Sequence, residues 1–87
     1  MFTMIFTENI NRGLIEQQAA LSFPSGFTTL QGRGFIPLGQ LAEDSLLILV
    51  AGEVEPAVIN RFCEAIKALN KQECLMVVAL PGNVEFV

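Results

Sequence analysis

The stretch FTTLQGRGFIPLGQLAEDSLLILVAG, Phe27 to Gly52, decides the fold. Its first ten residues keep a period of two. Phe27, Thr29, Gln31, Arg33 and Phe35 fall on one face, and Thr28, Leu30, Gly32, Gly34 and Ile36 on the other, which is the pattern of a strand. Glycine thins the far end of that strand, as at a bulge or a close approach of another backbone. Pro37 to Asp44 reads as a loop. Ser45–Gly52 then supplies LLILVA, an apolar strand that does not alternate. Two strands therefore follow one another with no helix between them.

Working outward, Pro24-Ser25-Gly26 separates this pair from a helical pattern over Leu14–Phe23. There Leu14, Ile15, Ala19 and Leu21 are spaced around Glu16, Gln17 and Gln18. Glu8–Gly13 is a polar turn that offers Asn9 or Asn11 as a helix cap. Met1–Thr7 is rich in aromatic and β-branched residues without a breaker, and reads as a strand. On the other side, Pro56 suits a first helical position. Val58, Ile59, Phe62, Cys63, Ile66 and Leu69 follow at three- and four-residue steps, with Arg61, Glu64, Lys67 and Lys71 on the opposite face. Lys67 and Lys71 suit the negative end of the helix dipole, and Asn70 is the expected cap. Cys74–Leu80 is a last strand, and Pro81-Gly82-Asn83 turns into a short C-terminal strand, Val84–Val87. The order predicts one domain over residues 1–87. Its class is α+β: a ferredoxin-like βαββαβ sandwich, with two helices on one face of an antiparallel four-stranded sheet.

Such a fold leaves one sheet face to water, and its strands should alternate. LLILVA and Leu75–Leu80 do not, so both of their faces call for burial. Composition points the same way. The 87 residues are 52% hydrophobic and 16% charged, whereas globular domains average about 45–50% and about 25%. A chain of this size hides only roughly 60–65% of its unfolded surface, and exposed apolar patches mark interfaces. We therefore expect a homo-oligomer held through sheet faces and edges.

The net charge is −4, and the five basic residues are scattered, so nucleic acid is not an expected partner. Met1–Phe6 has no basic residue, as a signal peptide would, and no apolar run nears the ~20 residues of a membrane span. The expected location is the cytoplasm. Histidine is absent, which removes the commonest general base and zinc ligand. Cys63 and Cys74 lack metal-ligand spacing. We expect Cys63 to pack as a small hydrophobe and Cys74, beside Glu73, to be unreactive. Glu53 and Glu55 read as a solvated pair rather than a cation site. Phe2 and Phe6 share a strand face and are expected to pack. No catalytic residue, metal or cofactor is expected.

SGFTTLQGRGFIPLG resembles the second strand and following loop of the PII-like (GlnB-like) family, and Gly32-Arg33-Gly34 is the local motif. The likeness runs along the whole chain by element order, including Glu43-Asp44 before the third strand and the second helix that starts with proline. It implies a trimer whose sheets face one another, with a regulatory rather than catalytic role. It also implies a ligand at a subunit junction, with Gly32 and Gly34 beside it and Gln40 as a polar loop contact. Two departures limit the transfer. The loop after the second strand is shorter than in that family, and the place of its Gly-rich basic segment reads NKQEC, Asn70–Cys74. Clustered N–H donors are missing there, so ATP and ADP are not expected to bind.

Gly32, Arg33, Gly34 and Gln40 are thus the expected ligand residues, with a small ligand or a protein partner near the loop after the second strand. The alternative is a small acylphosphatase-like enzyme or anion binder on the same fold, centred on Asn11, Arg12 and Arg33 with Gly13 nearby. An RNA-binding sheet would carry exposed aromatics and basic charge, and that pattern is not present.

Overall fold

The computed structural model describes residues 1–36, 41–72 and 75–82. Six elements follow in the expected order: β1 (Phe2–Glu8), α1 (Arg12–Ser22), β2 (Thr28–Ile36), β3 (Leu41–Ala51), α2 (Pro56–Asn70) and β4 (Met76–Leu80). The strands form one sheet in the order β2-β3-β1-β4, and each neighbouring pair is antiparallel. This is the ferredoxin-like α+β arrangement.

Both helices cover the same sheet face. Along β1 the residues Thr3, Ile5 and Thr7 are buried, and along β3 so are Leu46, Ile48 and Val50. They meet Ile15, Ala19 and Phe23 from the α1 segment, and Phe62 and Ile66 from α2. Phe23 and Phe62 stack at 5.0 Å between ring centroids, tilted by 56°, within the range where aromatic pairs attract beyond their buried area. LLILVA therefore does alternate once folded: its even-numbered residues enter the core, and Leu47 and Leu49 turn to the other side.

Several boundaries differ from the sequence reading. Helix α1 starts two residues earlier than expected, and Asn11 takes the cap position with its carbonyl accepting from Ile15 N–H at 3.0 Å. Its own side chain does not cap the helix. The cap of α2 is Lys71 rather than Asn70, which is the last helical residue. Lys71 adopts the left-handed conformation there, with φ of 55°, and its N–H donates to the carbonyl of Lys67. The largest correction concerns the expected loop from Pro37 to Asp44. Leu41–Asp44 belong to β3 and pair with Arg33–Ile36, so β2 and β3 form a long hairpin. The alternation of buried residues stops at Leu46 because the helices do not reach further, and without a wet and a dry side the sequence pattern is silent. Gln40, Glu73, Cys74 and the tail over 83–87 lie outside the described residues.

Candidate functional site

The glycine motif lies within β2, as the period of two predicts, and the register with β3 runs through it without a bulge. Gly32 pairs with Ser45, Arg33 with Asp44 and Gly34 with Glu43. Neither glycine has a positive φ, so strand geometry does not demand them. A Cβ at Gly32 would stand 3.2 Å from Ser45 Oγ and 3.5 Å from Leu47 Cδ1. A Cβ at Gly34 would meet Glu43 no closer than 3.7 Å, ordinary contact. Their lack of side chains leaves bare backbone on the sheet face that neither α1 nor α2 covers.

That face is apolar in three successive rows. Register places Leu30, Leu47, Phe6 and Met76 side by side, then Thr28, Leu49, Met4 and Val78, then Ala51, Phe2 and Leu80. Leu30 is 50% exposed, Met76 56% and Leu80 44%. Phe2 and Phe6 share this face, as expected, but they are only half-buried and stand outside the core. A fourth row, Gly32, Ser45 and Glu8, closes the patch with polar and small residues.

Past Thr29, the helix side of the β2–β3 hairpin is also bare. Thr29 Oγ1 donates to Glu16 Oε2 of α1 at 2.8 Å, whereas Gln31, Arg33 and Phe35 are exposed. The Arg33 guanidinium lies over the Phe35 ring, 5.7 Å from its centroid, a cation–π geometry. Arg12 has a different partner: its Nε lies 3.7 Å from Glu16 Oε2. Asn11 Nδ2 donates to Asn70 Oδ1 at 3.4 Å.

Asn11 and Asn70 belong to a polar corner that the sequence does not announce, because its members are as many as 65 residues apart. Thr7 Oγ1 donates to Gln72 Oε1 at 2.6 Å, and Asn70 Nδ2 reaches Gln72 Oε1 at 3.2 Å and the Glu8 carbonyl at 3.4 Å. Buried Asn9 Oδ1 finds no hydrogen-bond partner among the described residues. The corner ties the end of β1 to the start of α1 and the end of α2.

Other candidates read as structure. Glu53 and Glu55 are exposed, and no group of three metal-ligating side chains occurs among the described residues. Burial pushes the Cys63 thiol above its ordinary value, against a smaller opposing pull from Lys67. A groove of about 260 Å³ runs between α1 and α2, lined by Leu14, Leu21 and Leu69 among others. No helix among the described residues is long and apolar enough to cross a membrane.

No family model matches the chain, and no curated protein matches it. Among solved structures, the chain is similar to a phage SAM lyase in complex with S-methyl-5'-thioadenosine. The TM-score is 0.54 over 87% of this chain and 76% of that one, at 13% sequence identity. The likeness is one of fold.

Proposed function

We propose that the chain is a non-catalytic, self-associating module of the PII-like kind, a cytoplasmic homotrimer that binds a small regulatory ligand or a protein partner where copies meet. One observation carries this reading: three apolar rows on the uncovered face of the sheet. An exposed apolar patch of a few hundred Å² rimmed by polar residues is often a functional surface. A second sheet stacked about 10 Å away would cover it. Gly32 and Gly34 stand at the polar border of the patch, where a ligand at the junction would meet bare backbone; Arg33, on the helix side of the same strand, and Gln40 are the other two residues assigned to it. Light scattering on the wild type and on Leu47→Asp tests the reading. The wild type should assemble and Leu47→Asp should be a monomer with unchanged helix content. A monomeric wild type at about 100 µM would overturn it.

A second reading concerns the ligand. The phage lyase of similar fold is in complex with S-methyl-5'-thioadenosine, a nucleoside without phosphates. A phosphate-free nucleoside suits a chain that lacks a Gly-rich basic segment at Asn70–Cys74. Calorimetric titration should give heat with S-methyl-5'-thioadenosine and none with ATP or ADP. Silence with the first, or micromolar affinity for ATP, would remove this reading.

A further inference from the structure

We propose that the helix side of the β2–β3 arm, Gln31, Arg33 and Phe35, is the second half of the contact between copies of this chain. The inference rests on the self-association reading above and adds to it which surface completes the contact.

The argument is one of area. Three rows about 6.8 Å apart across four strands about 4.8 Å apart make an apolar face of about 400 Å² in plan. A stable, specific contact removes roughly 800 Å² from each partner. The uncovered face falls well short of that on its own. The arm beyond it, Gly32–Ile36 paired with Leu41–Ser45, is two strands wide and about five residues long, or about 170 Å² on each side. Only when both sides of the arm are enclosed does the total approach what a lasting contact needs.

The residues on the arm agree. Phe35 is 69% exposed, beyond the reach of both helices. A large aromatic side chain presented on a two-stranded arm is the kind of anchor that dominates contacts between proteins. Arg33 lies against its ring and supplies a cation, while a second copy presents Glu8 and Glu43 at the polar border of its own uncovered face. A chain with net charge −4 offers carboxylates to a copy of itself far more readily than cations. The occupant is therefore a second copy: its acidic border receives Arg33, and its apolar rows receive Phe35.

Sedimentation velocity over a dilution series of the wild type, Phe35→Ser and Arg33→Ser tests this. Both substitutions sit at exposed positions, so thermal melting of the dilute protein should be unchanged. Phe35→Ser should raise the dissociation constant about thirtyfold, as loss of a central aromatic anchor does. Arg33→Ser should raise it a few-fold at low salt and hardly at all in about 1 M salt, where the Debye length is about 3 Å. If the wild type assembles and Phe35→Ser assembles with the same constant, the arm is not in the contact and this inference is overturned while self-association stands. If the wild type stays monomeric, both fall.

Discussion

The two faces of the one sheet are made from neighbouring residues of the same strands, yet they have opposite fates. Ile5, Leu46 and Ile48 lose all their exposure beneath the helices. Met4, Phe6, Leu47 and Leu49, each adjacent to one of them, remain half-covered. A sheet face in a monomer earns its composition from what packs on it. Here one face is matched by helices, and the other is equally apolar with no matching layer among the described residues. The difference teaches that apolar residues alone do not mark the core.

The sharpest way to break this comparison is to truncate one residue on each side. Ile48→Ala should cost about 2–5 kcal/mol of folding stability, as core deletions do. Leu47→Ala, half-exposed already, should cost the separated chain roughly 1 kcal/mol while weakening assembly strongly. Urea unfolding read at low and high protein concentration checks both; equal losses in the dilute chain would erase the distinction between the faces.

Next in size is the polar corner. Thr7→Val keeps the shape at a buried position but removes the donor to Gln72 Oε1, which keeps its bond from Asn70 Nδ2, and should cost about 1–1.5 kcal/mol for the hydrogen bond lost. A cost near zero in a urea titration would show that the corner is not needed to seat α2. Smaller, and opposite in sign, is Lys71→Gly. The left-handed backbone at this helix end strains a residue with a Cβ, so glycine should raise stability by about 0.5–1 kcal/mol, seen as a higher melting temperature.

The smallest effect is on Cys63. Burial raises its pKa in the folded chain, so the neutral thiol is favoured there. Its contribution to stability is complete below the unfolded thiol's value, about 8.5, and declines as pH rises through the folded one. In a Cys74→Ser background, Cys63 should alkylate more slowly than in the unfolded chain at pH 8. Equal rates would contradict its shielding.

How much of this was readable beforehand follows from what periodicity can carry. The helix over Pro56–Asn70 was legible because one of its faces is dry and the other wet. LLILVA was legible as a strand but not as a two-sided one, because both of its sides are apolar. Leu41–Asp44 reads as a loop since the arm has no dry side there, and its strand structure comes from pairing with Arg33–Ile36, which no local pattern encodes. Gly32, Arg33 and Gly34 were legible as the far end of a strand, but their pairing with Ser45, Asp44 and Glu43 was not, because those partners carry no strand pattern of their own. Phe35 and the apolar rows became a candidate surface only through register, which joins Leu30 to Met76 across four strands.

The most direct test of the central claim is an isotope-filtered NOE experiment on a mixture of ¹³C-methyl-labelled and unlabelled copies. The account predicts contacts between copies at the methyl groups of Met4, Leu47 and Val78, and none at Ile5 or Ile48. Methyl signals from Met4, Leu47 and Val78 that touch only water and their own chain would contradict it.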